Sequence, residues 1–174
     1  MDFEIPDTAT QQAFRFSIRT WLKEQRPSNL DIPPDGTPLN DSEQSILNTF
    51  RQQLGEKGWL APSFSKEFGG GGLSIPLGMI VQEELQLLNL PYMGDNHAWI
   101  PAMMVWGKED QQLRYVLPAL QGKTITWQAF NEPKVGSDIG SIQTTAIKDN
   151  TDYIINGEKA FITGRFKPDY LWTL

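Results

Sequence analysis

Apolar residues recur at helical spacing along most of the chain and at every second position near its end. Phe14, Ile18, Trp21 and Leu22 share one face, which predicts an amphipathic helix over 7–26. Asp7 or Thr8 can cap its start, and Pro27 ends it. Residues 28–40 are rich in Pro, Asp, Asn and Gly and read as a loop. A second helix is expected from near Asp41, with Gln44 as its capping-box partner. Its apolar stripe is Ile46, Leu47, Phe50 and Leu54, and Gly55 and Gly58 mark its end. Leu77, Ile80, Val81, Leu85 and Leu88 form the inward face of a third helix over 75–90. A fourth, over 96–106, closes at Gly107, and a fifth, over 109–121, is disturbed at Pro118.

The period changes at Thr124. The run TITWQAF alternates as a strand does, and IQTTAIKD and DYIIN flank a turn at Asp149–Thr151. Asn156-Gly157 predicts a two-residue hairpin leading into a further strand, EKAFIT, and YLWTL reads as one more. The fold class is therefore α+β: a helical domain over 1–123 followed by the start of a β domain over 124–174. About four strands are too few for a closed two-layer sheet, so the chain is expected to stop inside a domain.

Composition narrows the function. The chain has 174 residues, 39% of them hydrophobic, and a net charge of -6. That sign repels phosphate backbones, and no basic cluster interleaved with aromatics offsets it, so nucleic acid is not an expected partner. There is no cysteine, which excludes disulfides, thiolate metal sites and a cysteine nucleophile. The single histidine, His97, makes a histidine-rich metal site a poor expectation. The start, MDFEIPDTAT, lacks the apolar core of a signal peptide, and no apolar run reaches membrane-spanning length. The expectation is a cytoplasmic protein without membrane insertion.

The candidate chemistry is concentrated in two corners of the β part. In the stretch NEPKVGSD, Pro133 fixes one backbone angle and Gly136 frees another. Amides near Gly136, Ser137 and Asp138 then suit an anion nest, although the same residue types make an ordinary β-turn. Farther on, Phe161 offers a ring on which a flat ligand can lie, with Ile162, Thr163 and strand amides at its edge; a core phenylalanine at strand alternation has the same pattern. Gly69–Gly72 resembles a phosphate cradle only in its glycines. No Lys-Ser/Thr pair follows and no strand precedes it, so a tight crossing of chain segments is the better reading. His97 reads as a helix-end residue before an acid or base. Glu83 and Glu84 are neighbours on a helix and do not face each other as a carboxylate pair. Ile100, Met103 and Met104 serve a helix core or an adaptable apolar pocket equally well.

Five stretches, in this order, resemble the acyl-CoA dehydrogenase family: GWLAPSFSKEFGGGGLS, the helix around QEELQLL, GKEDQQLRYVLPALQGK, WQAFNEPKVGSDIGSIQTTA, and DYIINGEKAFITG followed by DYLW. The resemblance covers nearly all of residues 40–174. It implies an N-terminal helical domain, a middle β-barrel domain of which only the first part is here, and a C-terminal four-helix domain that is absent. It also implies an FAD-dependent oxidoreductase of fatty-acid and lipid metabolism that dehydrogenates the α,β-bond of an acyl-CoA thioester. The family's base is a glutamate of the C-terminal domain, so no catalytic residue is assigned and these residues alone are expected to be inactive. Electron-transfer flavoprotein or a similar acceptor is the implied partner, and the full-length chain is an expected homo-oligomer.

Position by position, the resemblance implies that Gln128, Ala129, Phe130, Asn131, Gly136 and Ser137 meet the flavin and its pyrophosphate. Ser137 also lies near the substrate thioester. Phe161 stacks on the isoalloxazine, Ile162 and Thr163 bond its edge, and Ile100, Met103 and Met104 line the acyl pocket. The chain departs from the family pattern at Asn131, where Thr or Ser is usual, at Phe161, often Trp, and at Lys134-Val135, where small residues are commoner. Two other readings stay open: a non-catalytic binding fragment, and a flavoenzyme of the same fold with altered chemistry.

Overall fold

The helices stand where the apolar period places them. The structure, a computed structural model, describes residues 6–28, 30, 37–91, 93, 98–162 and 164–174. Helix α1 (Ala9–Gln25) starts at Thr8, whose side chain accepts from the Gln11 amide while the Gln11 side chain accepts from the Thr8 amide. Helix α2 (Asp41–Glu56) corrects the expected cap by one residue: Asn40 and Glu43, not Asp41 and Gln44, form the capping box. The shift leaves Asp41 and Glu43 in the first turn, where their charge opposes the helix dipole favourably. Helix α3 (Ile75–Gln86) stops short of residue 90, because Asn89 takes the left-handed φ of 52°, which no helix continues through. Helix α4 (Trp99–Trp106) ends at Gly107; His97 lies outside the described residues.

Beyond Gly107 the chain runs through α5 (Glu109–Gln111), a π-helical turn (Gln112–Val116) and α6 (Leu117–Leu120) as one helical stretch. Pro118 has no amide to donate, and its ring crowds the carbonyl one turn back; the widened turn in front of it relieves that crowding. The Gln112 side-chain amide donates to the carbonyls of Met103, Met104 and Gly107, which closes the end of α4.

Two apolar clusters hold these helices together. The first joins Ile18 and Leu22 of α1, Leu47, Phe50 and Leu54 of α2, and Ile80 and Val81 of α3, with Trp59 and Leu60. Ile46, expected on the same stripe, lies on its flank and is 42% exposed. The second gathers Ala61, Trp99, Ile100, Val116, Ala119 and Leu120. Charge ties α1 to α3 outside the core. Arg15 donates to Glu83 and Glu84 (2.8 Å each), and Arg19 donates to both oxygens of Glu84 (2.7 and 2.9 Å). Burial works to raise the Glu84 pKa, but Arg19 and Arg15 outweigh it and hold this buried carboxyl below its ordinary value. The neighbouring acids thus share Arg15, Glu84 is paired with Arg19 besides, and the two do not face each other as a carboxylate pair.

The glycine run is a crossing of chain segments. The amides of Gly70, Gly71 and Gly72 donate to the carbonyls of Ser65, Ala61 and Phe64, so they are not available to a phosphate. A Cβ at Gly71 would stand 2.7 Å from the Pro62 carbonyl oxygen and 2.9 Å from that of Gly58.

Strand β1 (Thr126–Ala129) pairs in parallel with β4 (Tyr170–Thr173), in the register Thr126↔Tyr170 to Ala129↔Thr173. Strand β2 (Thr145–Asp149) and β3 (Asp152–Asn156) form an antiparallel hairpin whose tight turn is carried by Asn150 at φ 55°. The expected second hairpin is not formed. Neither Asn156 nor Gly157 takes a positive φ, and residues 157–162 are irregular. Gly157 serves instead as a close approach, because a Cβ there would overlap the Thr144 side chain. The β part rests on the helices through Ile125 and Phe166, which belong to the first cluster, and through Trp172, which packs on the second.

Candidate functional site

The two polar stretches singled out in the sequence meet at one corner. The chain leaves β1 at Ala129, and Glu132 and Val135 exchange backbone hydrogen bonds of 2.9 and 3.1 Å, which folds the Pro133-Lys134 turn back on itself. The segment after β3 returns beside it. The Ala160 amide donates to the Asn131 carbonyl (3.0 Å), and the Lys159 ammonium donates to the Phe130 carbonyl (3.1 Å). Asp138 holds the turn that follows, its carboxylate accepting from the Ser141 hydroxyl and its carbonyl from the Ser141 amide.

Glu132 is the centre of this corner. It is 6% exposed. One carboxylate oxygen accepts from the Thr144 amide (2.8 Å), the Thr144 hydroxyl (2.6 Å) and Lys159 (3.0 Å); the other accepts from the Gln143 amide (2.9 Å). The Thr144 hydroxyl, then the Gln143 amide, lead the effects that lower its pKa from 4.5 to about 2, against the opposing pull of burial. A carboxyl whose folded-state pKa lies below its unfolded value stabilises the fold fully above the unfolded value and stops doing so as pH falls through the folded one. We therefore expect the stability difference between the parent and Glu132→Gln to be full at pH 7 and to vanish as pH falls from about 4.5 toward 2. Urea midpoints of both proteins across that range check this; a difference that does not shrink in acid contradicts it.

The residues expected at the site fall as follows. Gln128 is half-buried in β1, and Ala129 is fully buried at its end. Phe130 is half-buried, and Asn131, Gly136 and Ser137 are exposed. Gly136 takes no left-handed φ, and a Cβ there would meet nothing within 4 Å, so neither strain nor crowding within the chain requires glycine at that position. Among the described residues, no acceptor takes the amides of Gly136, Ser137 or Asp138. Phe161 is 78% exposed and held at φ 56°, a conformation costly for a bulky side chain. Ile162 is half-buried, and Thr163 lies outside the described residues. An exposed ring on a strained backbone, with unspent amides across the same corner, suits a flat aromatic ligand with an anionic tail.

The apolar candidates lie on α4. Ile100 is fully buried in the second cluster, while Met103 and Met104 are half-buried at its edge. Trp172 packs on the same cluster and is the register partner of Gln128. The roles of Glu132, Lys159 and Thr144 went unread in the sequence. A lone acid among turn residues, a lysine after Asn-Gly and a threonine before a strand are each ordinary, and only folding puts them together.

The sequence profile of the acyl-CoA dehydrogenase N-terminal domain matches residues 8–123. The chain belongs to the acyl-CoA dehydrogenase family. Acyl-CoA dehydrogenase FadE26 of Mycobacterium tuberculosis is 32% identical over 173 residues, an overlap of 95% of this chain and 42% of that protein. The crystal structure of acyl-CoA dehydrogenase from Geobacillus kaustophilus superposes with a TM-score of 0.69 at 26% identity, over 96% of this chain and 43% of that one. The ChsE4-ChsE5 complex of Mycobacterium tuberculosis has the same fold, with a TM-score of 0.74 at 23% identity, over 98% of this chain and 43% of that one. The chain thus spans less than half the length of these proteins, and the similarity to FadE26 runs over 173 residues, beyond the matched domain. Among the described residues, no helix is long and apolar enough to cross a membrane.

Proposed function

We propose that the chain is the N-terminal part of an FAD-dependent acyl-CoA dehydrogenase that desaturates the α,β-bond of an acyl-CoA thioester. Residues 1–123 form its helical domain and 124–174 begin its β domain. The observation that carries this reading is Phe161, strained one residue after the Ala160 amide that donates to the Asn131 carbonyl, in a corner where no acceptor among the described residues takes the Gly136–Asp138 amides. These residues fit a flavin. When bound, FAD supplies the acceptor for the hydride that leaves the β-carbon. Phe161 gives its ring a flat face, Ile162 and Thr163 its edge bonds, and Gly136 and Ser137 amide and hydroxyl donors to its pyrophosphate. Gln128, Ala129, Phe130 and Asn131 form the backbone wall beside it.

Ser137 orients the thioester from the same loop, and Met103 and Met104 yield to the acyl chain from α4, with Ile100 behind them as packing. The base that takes the α-proton is not assigned to any of these residues. A flavoprotein electron acceptor, assembly as a homo-oligomer, a cytoplasmic location and a place in fatty-acid metabolism complete the proposal.

The test uses the protein purified as its own gene encodes it. It is expected to carry a flavin absorbance band that bleaches when an acyl-CoA is added without oxygen. A flavin that no acyl-CoA reduces would favour altered chemistry on the same fold, and a protein that takes up no FAD would end the reading. Phe161→Gly sharpens the test. Glycine relieves the left-handed strain, so the thermal midpoint should hold or rise while FAD affinity falls. Loss of both together would mean that Phe161 serves only the fold.

A further inference from the structure

We propose that the Glu132–Lys159 ion pair, braced by Thr144, is a positioning clamp that fixes the spacing between the Phe130–Ser137 loop and Phe161. It rests on the flavin reading above, whose two groups of contacts it joins. Neither residue is offered as a contact of flavin or substrate.

Polar contacts tie the segment carrying Phe161 to the loop that follows β1: the Ala160 amide donates to the Asn131 carbonyl, and Lys159 reaches the Phe130 carbonyl and the Glu132 carboxylate. The Lys159 and Glu132 side chains are only 11% and 7% exposed, although both are charged. A pair this desolvated roughly breaks even as a source of stability, and its best-attested use is to select one register among several. The register selected here is specific. Lys159 reaches both the Phe130 carbonyl and the Glu132 carboxylate. Glu132 in turn takes the amides of Gln143 and Thr144, so the entry and exit of the β2–β3 hairpin are fastened to one carboxylate. Two residues after the clamp, Phe161 enters its left-handed conformation, which persists only where the surroundings over-determine it.

The test measures FAD affinity by flavin fluorescence quenching, and the visible circular dichroism of bound flavin, in the protein expressed from its own gene. Lys159→Met is expected to weaken FAD binding about ten- to a hundredfold, the range of a lost charge-assisted bond, and to change the flavin dichroism. Lys159→Arg, which keeps the charge and the reach, should restore most of both. Thr144→Val keeps both charges and the side-chain shape while removing one brace, and should weaken binding about threefold to tenfold. Parent-like affinity and dichroism in Lys159→Met would overturn the clamp and leave the flavin reading standing. If Lys159→Met does not fold, parent-like affinity in Thr144→Val would overturn it equally. A parent protein that takes up no FAD would overturn the flavin reading and the clamp with it.

Discussion

Replacing Phe50 with alanine is expected to lower the unfolding free energy by about 4 kcal/mol. Phe50 is 1% exposed and stacks on Trp21 with ring centroids 6.1 Å apart, while Trp59 meets that tryptophan edge-on at 5.1 Å. Its neighbours in the cluster come from α1, α2 and α3. Truncation removes the transfer energy of an aromatic ring and leaves a cavity among helices that salt bridges on their outer side keep from closing. Ile125 and Phe166 sit in the same cluster, so the loss also reaches the ground on which β1 stands. Urea denaturation monitored by far-ultraviolet circular dichroism reads the change. A loss below about 1 kcal/mol would mean that the cluster repacks freely.

Gly55→Ala is expected to destabilise by about 3 kcal/mol, against the usual direction of that substitution. Within a helix, alanine is favoured over glycine by about 1 kcal/mol. Gly55 lies in the last turn of α2, and a Cβ there would stand 2.8 Å from the Cα of Gln121 and closer still to its carbonyl. The obstruction is backbone, so no side chain can swing aside. Gln121 is itself held, since its amide donates to Leu117 and the next amide, of Gly122, donates to Ala119. Gly122, at φ 73°, meets the Arg51 carbonyl in the same crossing. The end of α2 and the end of α6 therefore touch backbone to backbone. Thermal melts of the parent and the variant separate the outcomes: a midpoint lower by several degrees is expected, and one that rises would show that the crossing yields and helix propensity wins.

Local sequence determined the elements whose stabilising contacts are close along the chain. The stripes of α1, α2 and α3 place Ile18, Leu22, Leu47, Phe50, Leu54, Ile80 and Val81 inside, and all are buried. The change of period at Thr124 and the Asn150 turn are also local facts, because a strand's alternation and a turn's φ need no distant partner. The run Gly69–Gly72 was readable as a crossing because phosphate cradles need partners that it lacks. Tertiary structure decided the rest. The segment EKAFIT has a strand's composition, yet Lys159 is drawn to Glu132 across 27 residues and Phe161 turns left-handed behind it. Asn156-Gly157 carries a hairpin signal, but Thr144 occupies the space that the glycine leaves. The parallel pairing of β1 with β4, and the gathering of Glu83 and Glu84 on Arg15, depend on chain segments brought together from more than 40 residues apart. Such pairings follow from the packing that carries one segment to another, and no periodicity within either segment encodes them. The turn residues of the corner were nameable one by one; the carboxylate that accepts from Gln143, Thr144 and Lys159 became visible only in the fold.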